Sequence, residues 1–500
     1  MANKTLFNST EKSNFILNMT EEKYSSLASK ALFLSFIISS LFSIPYYFNG
    51  KNPTLLVCGL IICGVIAMIF ALIAVLKKYI TKKMYLPIGA FGFMVVWGIG
   101  SLINSFEYNI AFYGMDGRGE GFLALLFYFC MFITAMTIKG KKPLETVHNG
   151  LIATGLLNAV FALIQLLSDS ESNFYRKVPM TTLEKNTDGK LGSTGEPIMA
   201  VSGLAHSPIF LAMLLAFALI AALIGVVLSE SKIRRILCGI SAIFMSFIMV
   251  FTYSLVGWVG FISAIIISLV VLFAKKAPKI RLIPILATIA SYVISIVIIS
   301  NGVGGVYSNY NLHDGPIMWR DSWMRIDSSG GYRSVEQKDK YENNSDLDTS
   351  KLDDAKYIYG YMNKKTIDII KTYPILGTGP DNLVFAQVYE DYKLPNDSIK
   401  ISGETGNNNE GTFDKCYNEF LYIAATRGIP SIIAFLVLLG SIIFVAVKNI
   451  KSKKCGNNII VGVGIAIGGI MMFFVGTSSI VFAPIFWSFA GICVGGEEKN

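Results

Sequence analysis

Apolar runs about as long as a bilayer is thick recur throughout this 500-residue chain. A helix needs roughly 20 mostly apolar residues to cross the hydrocarbon core of a membrane. Runs near that length occupy 31–48, 54–76, 86–104, 121–138, 149–167, 208–228, 236–254, 255–274, 282–300, 431–447, 459–475 and 480–494. Short polar links separate most of them. The pattern predicts an all-α, polytopic membrane protein with about 12 transmembrane helices. A membrane barrel would show alternating segments of about 10 residues instead. With 53% hydrophobic residues, 15% charged residues and a mean hydropathy of +0.54, the composition excludes a soluble enzyme.

The formal net charge is +9, which by itself would suit a nucleic-acid partner. Its distribution points elsewhere. Most of the excess lies in the short links Lys77–Lys83, Lys139–Lys142, Lys232–Arg235, Lys275–Arg281 and Lys448–Lys454. Lys and Arg in short links set membrane topology, because they stay on the cytoplasmic side. Twelve spans with a cytoplasmic N-terminus put all five links inside; shifting the count by one puts them outside. The lipid bilayer is therefore the expected partner, and no nucleic acid is implied. Residues 1–30 lack an apolar core and a small-residue cleavage site, so a cytoplasmic tail is expected there rather than a signal peptide. A second cytoplasmic tail is expected at 496–500, with the protein in the plasma membrane.

One polar stretch breaks the pattern. Residues 301–430 separate helices 1–9 (31–300) from helices 10–12 (431–495), and place a large extracytoplasmic loop between helices 9 and 10. An ordinary connection has about 4–6 residues, so a loop this long is expected to carry function. It holds 14 Lys/Arg against 19 Asp/Glu and is acidic on balance, unlike the inner links. Two amphipathic helices are predicted inside it. The first spans Asp354–Thr372 and is stopped by Pro374. The second spans Asp414–Arg427 and closes at Gly428, where a C-terminal glycine belongs. Between them lies the Gly-rich turn Gly377–Asn382.

The seven cysteines fall mostly in or beside apolar runs, and only Cys416 is expected in an outer loop, so no disulfide framework is implied. The three histidines are scattered, with no metal-ligand spacing.

Four stretches around the outer loops carry a resemblance. Tyr113–Gly121 ends in an Arg followed closely by Glu-Gly at the mouth of a span. Ile369–Asn382 contains Pro374-Ile375-Leu376-Gly377-Thr378-Gly379-Pro380-Asp381-Asn382. Asp414–Ile429 has Asn418-Glu419, then Leu421 and the closing Gly428-Ile429. Ala483–Trp487 is aromatic at the start of the last span. In this order, and with the large loop between helices 9 and 10, the chain resembles the O-antigen ligase-like superfamily of O-antigen ligases and surface-polysaccharide polymerases.

The resemblance implies a metal-independent glycosyltransferase without a cofactor. Glycan would leave an undecaprenyl-diphosphate carrier and join an acceptor glycan or another envelope hydroxyl on the outer face, in cell-envelope polysaccharide biosynthesis. Such chemistry needs cations for the leaving diphosphate. Arg118 is the leading candidate, because its planar fork matches phosphate. Arg320 and Lys356 are secondary. The turn carrying Gly377 and Gly379 has backbone N–H groups that could cradle a phosphate, or it could serve only as a helix exit. Glu120 and Asn418 are candidate substrate contacts, and Asp381 a candidate acid or base.

Two departures from the family bear on activity. Tyr417 stands where active ligases carry a His. A His near neutral pKa takes a proton readily, whereas a Tyr, with pKa about 10, mainly donates a hydrogen bond. Glu419 or Asp414 would then have to take over. Relatives also often carry Ser-Arg at the outer junction of spans seven and eight, and here the residues are Ser254-Leu255. These departures keep open a catalytically weakened relative that binds or organises lipid-linked glycan for a partner. A polysaccharide or lipid-carrier transporter is disfavoured, because few ionisable residues fall within the spans.

Overall fold

The computed structural model describes residues 19–44, 54–115, 119–168, 178–180, 183–185, 191–193, 198–300, 355–386, 415–451 and 456–495. Helices dominate these residues: α1 Glu21–Leu41, α2 Thr54–Leu76, α3 Tyr85–Ile103, α4 Tyr108–Tyr113, α5 Phe122–Met136, α6 Lys141–Leu167 and α7 Pro208–Leu228 come first. They are followed by α8 Lys232–Val250, α9 Leu255–Ala274, α10 Leu282–Ser300, α11 Ala355–Thr372, α12 Glu419–Lys451, α13 Asn457–Phe473 and α14 Ala483–Gly495. Nine helices among the described residues are long and apolar enough to cross a membrane. Three apolar helices that coincide with expected spans are shorter: α5 has 15 residues, α13 has 17 and α14 has 13.

Helix α7 is the axis of the bundle. It is apolar on every side, and 94% of its most apolar window is buried. A helix with no polar face has to be surrounded by other helices. Pro208 occupies its first position, where a missing N–H costs nothing. Helix α10 is the opposite case, with 28% of its window buried and Ile283, Leu286, Val293 and Ile294 exposed, as on a lipid-facing surface. Small residues let the central helices approach closely. A Cβ on Gly257 would lie 3.4 Å from Ala212 Cβ, and one on Gly260 would run into Ala216. Those pairings step forward together, so α7 and α9 run parallel.

The structure departs from the sequence reading in several places. Helix α1 begins at Glu21, inside the expected tail, because the Thr20 side chain caps Lys23 N (3.3 Å) and Glu21 pairs with Lys139. Between α6 and α7 lie two short antiparallel ladders, β1 Val178–Met180 with β4 Ile198–Ala200 and β2 Leu183–Lys185 with β3 Leu191–Ser193. The second loop helix starts at Glu419 rather than Asp414, with Asn418 Oδ1 accepting from Leu421 N at 3.1 Å. It continues past a kink at Gly428 into the span that follows.

Charge is segregated along the bundle. Lys139 N donates to Ser25 Oγ, and Tyr79 OH donates to Met19 O, so the first two basic links meet the start of α1. Arg234 pairs with Glu145 at 2.9 Å, and Arg281 donates to Val227 O. Asn449 donates to Cys493 O and Asn457 to Leu228 O. The described residues of all five basic links thus gather at one end, while the described parts of the motif-bearing loops gather at the other.

Gly260→Val should force α7 and α9 apart and cost about 1–3 kcal/mol, read as a lower melting temperature in detergent. Gly440, where a Cβ meets nothing within 4 Å, supplies the neutral control as Gly440→Ala.

Candidate functional site

The site end is organised by the turn after α11. Pro374 and the following residues fold back so that Gly377 N donates to Tyr373 O at 3.2 Å. The turn then receives the end of the first part of α12. Thr378 N donates to Ala425 O (3.0 Å), Gly379 N donates to Thr426 O (3.0 Å), and Ile429 N donates to Pro374 O (2.8 Å). The first two bonds satisfy helix carbonyls that have no partner within their own helix, and the third ties the chain past Gly428 back to the turn. Gly428 has φ 81 and ψ 169, and a Cβ there would strike the Ile375 carbonyl. Only glycine suits that conformation and that approach.

This geometry decides the role of the Gly-rich turn. The N–H groups of Gly377, Thr378, Gly379 and Asn382 all bond to carbonyls of the chain. The turn thus docks a helix through these N–H groups, which is the helix-exit role that the sequence left open beside a phosphate cradle at Gly377 and Gly379.

Asp381 and Asn382 tie the turn to the first motif. Asp381 is fully buried at φ 59, accepts from Met115 N at 2.6 Å on one oxygen, and accepts from Tyr422 OH on the other. Asn382 pairs with the Glu107 backbone in both directions, at 2.7 and 3.3 Å. With both oxygens engaged by the protein, the Asp381 carboxylate positions neighbouring segments.

Two other carboxylates are buried here. Glu120, 2% exposed, accepts from Tyr128 OH at 2.5 Å. Glu419, 5% exposed, accepts from Ser478 N at 2.7 Å on Oε2. Arg427 is buried as well and lies, with both carboxylates, within electrostatic reach of the Tyr128 phenol. Asn418 caps α12 and donates to Phe474 O at 3.5 Å, so its amide also fastens α12 to the end of α13. Tyr417 is buried at φ 47, a backbone conformation rare for a bulky side chain and often found at functional positions.

Arg118 and Arg320 lie outside the described residues, as does the side chain of Lys356, whose backbone is in the first turn of α11. The residue that follows Arg118 is placed: a Cβ on Gly119 would lie 2.9 Å from Ile480 Cδ1. The first motif therefore reaches the segment before α14, which also receives Glu419. All four sequence stretches meet at one end of the bundle.

Sequence reasoning missed Lys415. It is 4% exposed, with Nζ 4.8 Å from the Phe210 ring centroid and 5.7 Å from that of Tyr417. Its position two residues before Tyr417, inside the third motif stretch, was the available signal. His206 hydrogen-bonds Ser43 Oγ at 2.8 Å, and borders a cleft with Ser35, Ser39, Cys63, Ile480 and Pro484. Burial pushes its imidazole down to about 3 and the Cys416 thiol up to about 12.

A bundle with its basic links at one end, and with buried carboxylates, cations and hydroxyls at the other, defines a helical membrane protein with a polar site set into its apolar body. Residues 240–436 match the family model described as O-antigen ligase. The match runs from within α8 through α10 and the long polar region to the start of the second part of α12, and over this stretch the chain is similar to that family. No curated protein matches the chain.

Asp381→Asn keeps a residue that tolerates positive φ but weakens both acceptor bonds, and should cost about 1–3 kcal/mol in a melt. For His206, the unfolded chain takes up a proton below about pH 6.5, whereas the folded protein does not until about pH 3. Its contribution is therefore full above the unfolded value and declines as pH falls through this window. The drop in melting temperature between about pH 7.5 and pH 5 should be smaller in His206→Gln than in the parent protein.

Proposed function

We propose that the chain is a membrane glycan transferase of the ligase or polymerase type. It takes saccharide from an undecaprenyl-diphosphate carrier and joins it to an acceptor glycan or another envelope hydroxyl. The bond between the anomeric carbon and the carrier phosphate oxygen breaks, and its electron pair stays on the diphosphate. The acceptor oxygen bonds to the anomeric carbon, and its proton passes to Glu419. Arg118 holds the diphosphate with help from Arg320 and Lys356, and Glu120 and Tyr417 orient the sugars. The observation that carries this reading is the convergence of the four stretches at one end, with Glu120 and Glu419 buried close to the residues that flank Arg118 and the buried Tyr417 two residues before Glu419. The basic end faces the cytoplasm and the site end faces outward, by the positive-inside rule. The three shorter helices complete twelve crossings of the plasma membrane, and 301–430 is the extracytoplasmic loop.

One feature favours a second reading. Tyr417 stands where the resemblance places the His of active ligases, which favours a holder of lipid-linked glycan for a partner enzyme.

Purified protein in lipid should release undecaprenyl diphosphate from a labelled donor, and Arg118→Ala should lose at least about tenfold of that rate, as expected for one charge-assisted hydrogen bond. Donor binding without turnover, with turnover gained in Tyr417→His, selects the holder instead.

A further inference from the structure

At the basic end, α7 finishes between two arginines. Arg281, in the turn before α10, donates to Val227 O. Arg235, in the first turn of α8, donates from Nη2 to Ser229 O and Glu230 O at 3.3 and 3.4 Å. Both residues are half-buried, and they lie within electrostatic reach of each other. Among the described residues neither makes an ion pair, although the adjacent Arg234 does, with Glu145 at 2.9 Å. Lys232 and Lys279 are exposed and stand within a turn of Arg235 and Arg281 along the chain. From this point α8 and α10 lie side by side. A Cβ on Gly239 would lie 3.4 Å from Pro284 Cβ and 3.9 Å from Val226 Cγ2. Ser291 Oγ donates to Ile243 O at 2.9 Å, and Ser246 Oγ to Thr288 O at 3.2 Å. These contacts step forward together, so the two helices are parallel and both start at the basic end. Residues three or four apart share a helix face. On the α7 side of the seam Cys238 and Ile285 are buried. On its other side Ile236, Ile240 and Ile283 are exposed, and the small Ala287 follows one turn after Ile283, which leaves a groove open to lipid.

The positive-inside rule explains why cations gather at this end. It does not explain why two guanidiniums share one helix end at the mouth of a lipid-facing groove. A helix C-terminus carries about half a negative charge, so α7 offsets only part of the two positive ones. Its carbonyls also use only some of the N–H donors of each guanidinium. Water solvates the remaining charge but does not cover the isoleucines. The chains of a neutral lipid cover the isoleucines but leave the charge. An anionic phospholipid does both, because its phosphate oxygens match the planar fork of Arg and its chains are apolar. Basic pockets between transmembrane helices are a known kind of seat for such headgroups.

We propose that Arg235 and Arg281 hold the phosphate of an anionic glycerophospholipid from the surrounding bilayer, with its acyl chains along the groove of Ile236, Ile240, Ile283 and Ala287. The seat lies at the opposite end of the bundle from the four motif stretches and does not depend on a glycan donor. Lys232 and Lys279 add attraction for the headgroup at the rim. One lipid bound here ties the end of α7 to the starts of α8 and α10. It stabilises the folded chain, because the unfolded chain has no such seat.

The test uses the full chain in phosphatidylcholine nanodiscs that carry a minor fraction of phosphatidylglycerol. Lipids that stay with the protein after transfer to mild detergent are counted by native mass spectrometry. The parent should retain phosphatidylglycerol in preference to phosphatidylcholine. Arg235→Gln/Arg281→Gln should lose at least about fivefold of that preference. Lys141→Gln/Lys142→Gln removes two exposed lysines of a different basic link and should lose no more than about twofold. Equal retention of the two lipids by the parent overturns the seat. Equal losses in the arginine and lysine double variants also overturn it, because the effect then belongs to the charge of the whole face. Inorganic phosphate at matched concentration should not displace the phosphatidylglycerol; displacement overturns the role of the groove. If the arginine double variant fails to fold, Arg235→Gln decides by the same criteria, since it leaves Arg281 on Val227 O.

Discussion

A helix that ends inside an apolar body must find donors for its last carbonyls, because no water is there to supply them. The first part of α12 meets this need through the turn after α11. Thr378 and Gly379 donate to Ala425 and Thr426, and Ile429 returns a bond to Pro374. The contact depends on backbone approaching backbone, and Gly377 and Gly428 are the positions where a side chain would stand in the way. Once the turn is docked, the rest of the site follows. Asp381 reaches Met115 and Tyr422, Asn382 reaches Glu107, and Ser101 Oγ donates to Thr426 O at 2.9 Å. One set of end-of-helix bonds thus joins three distant stretches of chain.

Electrostatics gives the bundle its second organising rule. Arg, Lys and Glu pairs sit in short links at one end, where water and lipid headgroups solvate them. At the other end Glu120, Asp381, Lys415, Glu419 and Arg427 are all buried. Removing ions from water is expensive, and such groups are kept inside a membrane protein where they serve a function. Each of the three carboxylates accepts a hydrogen bond from a named donor, which lowers that cost. The same bonds hold the groups still, so the site is organised before any substrate arrives.

The two candidate cation systems differ in how they are built. Arg118 belongs to a loop that runs between two helices and meets Ile480 at Gly119. Lys415 is gripped by aromatic rings beside two helix ends. Leu255 follows Ser254, so that helix start supplies no side-chain cation of its own.

The spans, the segregation of basic links and the four motif stretches follow from sequence alone. Apolar length and charge placement act locally, and a bilayer imposes them whatever the neighbours are. Gly428 as a helix terminus is legible for the same reason, since a closing Gly-Ile-Pro is a local signal. The roles of Gly377, Gly379 and Asp381 are not legible in this way. Whether an N–H cradles a phosphate or caps a helix depends on which helix arrives from about fifty residues further along the chain, and only packing decides that. Lys415 and Phe210 look unremarkable in sequence because they are far apart. Tertiary structure joins them, because packing sets the stretch before Tyr417 over the first turn of α7.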